Sequence, residues 1–453
     1  MSTPSMVGLD RARGTETQRD AAAPAQETSG SVPRAYAFYV FFLCFTLMLL
    51  DYMARQVVAA MFPVLKGLWR LSDARLGALV SVVSLAVGVL SVPLAVVADR
   101  HSRVKAIAIM AIVWSAATAA GALARSYEQL LVTRFFVGAG EAAYGAAAAS
   151  LLASVFPGRH HGAAIGSFMS AALFGSVLGV VVGGAMGSRF GWQSGLWLVG
   201  LPGLVLAALF FFLREPGVAA SVPTTRGGAR RVGFRQGVGE MFRSRSILAA
   251  YVANGVLVFV TGTMTAWLPT FFHRVHGLSL ERASMRAALA ILAAGAGSAL
   301  CGFLVDRLAL RDRRALFFGS AVIAAGTAIL LGVAFRLPAG PLQYGFILLG
   351  SLGLAGTQGP MMSVIASLVH PGVRSTALAI LAVVQNVVGL AAGSLITGIL
   401  SDRLGIAGAL AFVPLMACVS TAAYLVGARS YRRELQSVTF SRSGSRSEAE
   451  RAR

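Results

Sequence analysis

Four charged residues, Asp51, Arg55, Arg134 and Glu141, sit well inside long apolar stretches of the chain. The sequence holds 18 acidic and 39 basic residues, and only these two of each lie in such a place. A charge at the centre of a membrane helix costs roughly 2.5–3.5 kcal/mol on insertion scales, so such groups face a partner or a water-filled cleft rather than lipid. Asp51 and Arg55 are four residues apart and share a helix face. Arg134 and Glu141 are seven apart and share a face two turns from each other. At 1.5 Å rise per residue, Asp51 lies about 12 Å and Arg55 about 6 Å below Ala59. Measured from Glu128, Arg134 lies about 9 Å and Glu141 about 20 Å down. Asp51 and Arg134 are therefore expected to be nearly level, with Glu141 deeper. A carboxylate balanced between a drying cleft, which favours the proton, and a guanidinium, which favours the ion, can load and release a proton. The same four residues would also serve as a static bridge between two helices.

Those charges require membrane-spanning elements to carry them. The chain has 453 residues, 56% hydrophobic and only 13% charged, about half the charged share of a soluble domain. Twelve apolar stretches are long enough to cross a bilayer, which takes roughly 20 residues each. The expected architecture is all-α: twelve transmembrane helices in two six-helix halves. A polar tail (1–35) precedes the first bundle (36–213), a basic linker (214–245) joins it to the second (246–429), and a second tail (430–453) follows. The first 35 residues lack the compact apolar region of a signal peptide.

The formal charge of +21 suggests nucleic acid at first sight. Its distribution argues instead for membrane orientation, because the bases fall in the polar breaks and tails. With the N-terminus placed inside, 27 of the 39 bases fall on the inner side, 10 on the outer side and two within helices. That bias predicts cytoplasmic termini. With 37 Arg against two Lys, Lys66 and Lys105, the composition points to a GC-rich genome and a bacterial inner membrane. Cys44, Cys301 and Cys418 all lie in apolar runs, with no C-x-x-C spacing. No P-loop and no G-x-S-x-G is present. The reading is therefore of a protein that is not an enzyme and needs no cofactor. His273 and His276 share one loop, but no Cys or acid cluster joins them, and no metal is expected.

The halves echo each other. Phe156-Pro157-Gly158 recurs as His370-Pro371-Gly372 at an offset of 214, and the same offset carries Gly175 to Gly389 and Arg189-Phe190-Gly191 to Arg403-Leu404-Gly405. Ala98-Asp99-Arg100 and Val305-Asp306-Arg307 form a looser pair at an offset of 207. Two parallel repeats with a site between them near the midplane are an established transporter plan.

Over Tyr36 to Ala428 the chain resembles the major facilitator superfamily. Ala98-Asp99-Arg100-His101-Ser102-Arg103 looks like its signature between the second and third helices, with Ala95 and Ser102 where glycines are usual. The stretch from Gly302 to Arg307 is the second-half copy. Asp51-Tyr52-Met53-Ala54-Arg55-Gln56 and the run from Arg134 to Ala142 are similar to the spinster-like branch. The resemblance implies that the first and fourth helices line a central cavity, placing all four buried charges at one cleft, with Asp51 and Glu141 as the proton-coupling pair and Arg55 and Arg134 as anchors for substrate. It also implies a gate of Asp99, Arg100, Arg103, Asp306 and Arg307, in which an anion near a helix N-terminus is favourably placed, although the arginines equally serve the orientation bias. The seventh and tenth helices line the cavity in this family. Candidate substrate contacts there are Asn254, Thr261, Thr265, Trp267 and Gln358, with Gln385 and Asn386 in the eleventh; interhelical bonding is an equal alternative for each. The branch pattern has Asn where Asp51 stands and Asp where Ala54 stands, so the carboxylate has moved about one helical turn. Val180 replaces the Pro associated with antiporters after Gly175-x-x-x-Gly179, so those glycines read as packing.

The sequence thus describes a monomeric secondary transporter in a lipid bilayer. It moves a small organic anion or anionic amphiphile by alternating access, coupled to protons. A drug or metabolite exporter of the same fold, or a receptor that senses its ligand without moving it, are the alternatives.

Overall fold

The structure, a computed structural model, describes residues 33–99, 102–156, 160–213, 239, 241–370 and 373–451. Most of the N-terminal tail, most of the linker, Arg100 and the side chain of Asp99 lie outside the described residues. Every regular element among the described residues is helical.

The first half consists of α1 (Arg34–Ala60), a short α2 (Phe62–Trp69), α3 (Asp73–Asp99), α4 (Arg103–Gly121), α5 (Tyr127–Glu141), α6 (Tyr144–Val155), α7 (His161–Arg189) and α8 (Trp192–Phe211). The second half comprises α9 (Arg245–Val275), α10 (Leu280–Ala309), α11 (Ala315–Ala334), α12 (Pro341–Ser351), α13 (Gln358–Leu368), α14 (Arg374–Val384), a π-helical segment (Gln385–Ala391) and α15 (Ala392–Arg451). Among the described residues, ten helical stretches are long and apolar enough to span a membrane. The last of them, Arg374–Gln436, holds two spans, because Gly405 (φ 72, ψ 162) turns the chain between them. The tenth span is divided between α12 and α13 and so has no single long helix. The described helices are thereby consistent with twelve spans. Apolar side chains such as Phe38, Val132, Val205, Val322 and Ile329 stand exposed along them, a coat suited to lipid and not to water.

The repeat extends beyond the motifs that first reveal it. The 214 offset carries the start of α5 (Tyr127) onto the start of α12 (Pro341), and the start of α6 (Tyr144) onto that of α13 (Gln358). Both the fourth and the tenth spans are therefore interrupted at equivalent points, where hydropathy alone predicts continuous helices. In the tenth, Pro360 has no N–H to offer the carbonyl of Gly356, which removes one helical bond. In the fourth, the interruption follows directly on Glu141.

Glycines set how α1 is rotated. A Cβ on Gly179 would come within 2.7 Å of the Met53 carbonyl oxygen, and one on Gly183 within 2.8 Å of that of Val57. Gly175 lies as tightly against the Leu49 carbonyl. This α7 stripe lets the two backbones meet. Leu49, Met53 and Val57 thus form the face of α1 turned to α7. Asp51 and Arg55, two residues along, point away from it, toward α5.

Candidate functional site

Arg55 is the centre of the charged group. Its Nη2 lies 2.6 Å from Oε2 of Glu141, and its Nε lies 3.9 Å from Oδ1 of Asp51. The shorter contact is a close ion pair between α1 and α5. The guanidinium also lies over the ring of Tyr52, 5.3 Å from its centroid. Asp51, Arg134 and Glu141 are buried, and the Arg55 side chain is 15% exposed. One cation thus serves two carboxylates.

Arg134 departs from the arrangement that spacing suggests. Its Nη1 donates to the Ala54 carbonyl at 3.1 Å, while Nε and Nη2 have no hydrogen-bond partner among the described residues. Neither Asp51 nor Glu141 forms an ion pair with it. The level pairing of Asp51 with Arg134 is therefore replaced by pairing through Arg55, because both carboxylates converge on the guanidinium that α1 turns toward α5. Arg55 and Arg134 line one small cavity with Val58, Leu79, Val80, Val83 and Ser84.

The second half places its polar candidates differently from one another. Trp267 is fully buried, donates from Nε1 to the Ser394 carbonyl at 3.0 Å, and packs on Phe62 with ring centroids 5.1 Å apart. It joins the two halves and is not placed in a cleft. Asn254 is also fully buried and accepts from Nε2 of Gln385 at 2.7 Å. Asn386 bonds the Ala382 carbonyl, Thr261 bonds Leu257 and Leu354, and Thr265 bonds Thr261 and Gly262. Gln358 opens α13 and is half-buried. Gln385 and Asn386 open the π-helical segment, a feature frequent at functional sites.

Of the residues expected to form a gate, Asp306 and Arg307 are exposed at the end of α10, with Arg307 over the Phe303 ring. Arg103 begins α4, and Ser102, in place of a signature glycine, caps that helix by accepting from Lys105 N–H. His273 and His276 bond Leu278 and Gln343 respectively.

A cluster not foreseen from the sequence closes the opposite end of the molecule. Asp73 binds Lys66 Nζ at 2.6 Å and Arg274 Nη1 at 2.9 Å, and accepts from Ser401 Oγ. Asp402, in the second half, accepts from the N–H groups of Asp73 (2.7 Å) and Ala74 (2.9 Å), so one half caps a helix of the other. Arg189 pairs with Glu281 at 2.9 Å. These contacts join the halves at the face opposite the linker. Acidic residues at the far ends of spans were the available signal, but loop charges alone do not reveal their partners.

The family described as the Major Facilitator Superfamily matches residues 44–394. The chain belongs to that superfamily. This transporter is 26% identical over 384 residues to a probable 4-methylmuconolactone transporter of Cupriavidus pinatubonensis, covering 82% of this chain and 85% of the relative. It is 25% identical over 401 residues to protein spinster homolog 3 of Danio rerio, covering 84% and 79%. A solved bacterial homolog of the human lysosomal transporter spinster, in an inward-facing and unoccupied conformation, superposes with a TM-score of 0.80 at 22% identity, covering 89% of this chain and 99% of that one. The transporter is an integral membrane protein similar to the spinster-like branch.

Proposed function

We propose that this transporter carries a small organic anion together with a proton by alternating access. The observation that carries the reading is the sharing of Arg55 by Asp51 and Glu141, beside an Arg134 with two unpartnered nitrogens. Two carboxylates and two guanidiniums balance. An entering anion adds one negative charge to a buried site, which is costly. A proton taken by Asp51 or Glu141 restores the balance and releases Arg55 to hold the substrate beside Arg134. Anion and proton therefore favour each other's binding, which is the thermodynamic requirement for symport. The organic-acid substrate in the name of the Cupriavidus relative supports this class.

Alternation follows from the closed face. The Asp73 cluster and the Arg189–Glu281 pair hold that side shut, and the substrate reaches the buried charges from the linker side. In the opposite state these contacts part and the Asp99 and Asp306 loops close. The positive bias of the linker side supports its lying in the cytoplasm.

Proton uptake on binding tests the reading. Purified protein in weakly buffered detergent solution, titrated with candidate organic acids, is expected to take up about one proton per bound anion when one carboxyl carries the load. Binding without proton uptake would contradict the coupling.

A further inference from the structure

We propose that the linker-side end of α9 and the stretch of α15 beside it form a binding surface for anionic phospholipid. Ser244 Oγ donates to Glu434 Oε2 at 2.6 Å, and Ser246 Oγ lies 2.9 Å from Ser430 Oγ and 3.4 Å from the Gly427 carbonyl. These bonds tie the start of α9 to this stretch of α15. Arg243 and Arg245 on one side, and Arg429, Arg432 and Arg433 on the other, are thereby gathered at one height, and all five are exposed.

The surface beneath the arginines is apolar. Arg429, Arg432 and Arg433 share a face of α15, and Leu425 (41% exposed) and Val426 (53%) continue that face one turn deeper. On α9, Arg245 is followed by the exposed Leu248 and Val252 on the same face. Phe242, 53% exposed, adds apolar surface beside the first arginines. Cations above and aliphatic side chains below match a lipid with a phosphate head and acyl tails. Charge orientation alone asks only for arginines somewhere on this side; here two helices tied together join them to lipid-facing stripes. Clusters of four to eight basic residues next to a span favour anionic headgroups by about 1 kcal/mol per residue.

The test uses the full chain in neutral detergent. Phosphatidylglycerol, phosphatidylcholine and soluble glycerol phosphate are titrated in parallel, and binding is followed by thermal unfolding. Phosphatidylglycerol is expected to raise the Tm saturably, while the other two leave it unchanged. The triple variant Arg429→Gln, Arg432→Gln, Arg433→Gln should weaken that response about a hundredfold in lipid concentration. Arg282→Gln, at the opposite face, should leave it intact. Because all the substituted side chains are exposed, the variants retain the packed core. Equal stabilisation by phosphatidylcholine, equal stabilisation by glycerol phosphate, or an unchanged response in the triple variant would each overturn the proposal.

Discussion

Arg55 is the residue on which the buried charges depend. Arg55→Gln leaves Asp51 and Glu141 facing each other without the cation they share. Breaking a buried pair in this way costs about 3–5 kcal/mol. Adding Glu141→Gln to Arg55→Gln should restore much of the Tm at pH 8; thermal unfolding of the purified variants measures both effects. The four charges were legible in the sequence because ionised groups are conspicuous in apolar runs. Their pairing was not legible. Spacing along one helix defines a face, but the rotation of α1 is set by Gly175, Gly179 and Gly183 on another helix.

Helix packing gives the clearest contrasts between single substitutions. Gly179→Ala places a methyl within 2.7 Å of the Met53 carbonyl oxygen, and backbone cannot give way cheaply. It should lower the Tm and reduce transport together, because it shifts the helix that aims Asp51 and Arg55. Gly166→Ala lies on the same helix and meets nothing within 4 Å. It should be neutral or stabilising by up to about 1 kcal/mol, the usual helix preference for Ala over Gly. Parallel unfolding curves of the two variants check this. In the loop after α9, His276 donates from Nε2 to Gln343, whose own amide donates to Ala334 and Leu337, while Nδ1 faces Arg286. Burial, with Arg286 nearby, holds the imidazole below its ordinary pKa of 6.5. The contribution of this neutral ring is therefore complete above pH 6.5 and is lost as pH falls. His276→Asn should flatten the acid side of the stability profile. Apolar runs revealed the spans, but the interruptions in the fourth and tenth went unseen, because Gly and Ala keep the stretch apolar whether or not the helix continues.

At the scale of the whole molecule, ion pairs and a helix cap join the two halves at the face away from the linker. Asp73→Asn with Asp402→Asn removes charge from both sides of that closure. Nitroxide labels placed at positions 125 and 342 should then report a longer component in the distance distribution measured by pulsed electron paramagnetic resonance. An unchanged distribution would remove the cluster from the gate. The two-half plan was legible from the repeat of 214 residues, whereas the closure was not, since its partners are separated by up to 329 positions. Proton coupling is tested most directly by comparing two assays in liposomes. Parent protein should accumulate a labelled organic acid against its gradient when a pH difference is imposed, and should also exchange it at equal concentrations. Asp51→Asn keeps the size of the side chain but cannot carry a proton. The account predicts that it exchanges substrate and no longer accumulates it; accumulation equal to that of the parent would contradict the account and leave Asp51 a static partner of Arg55.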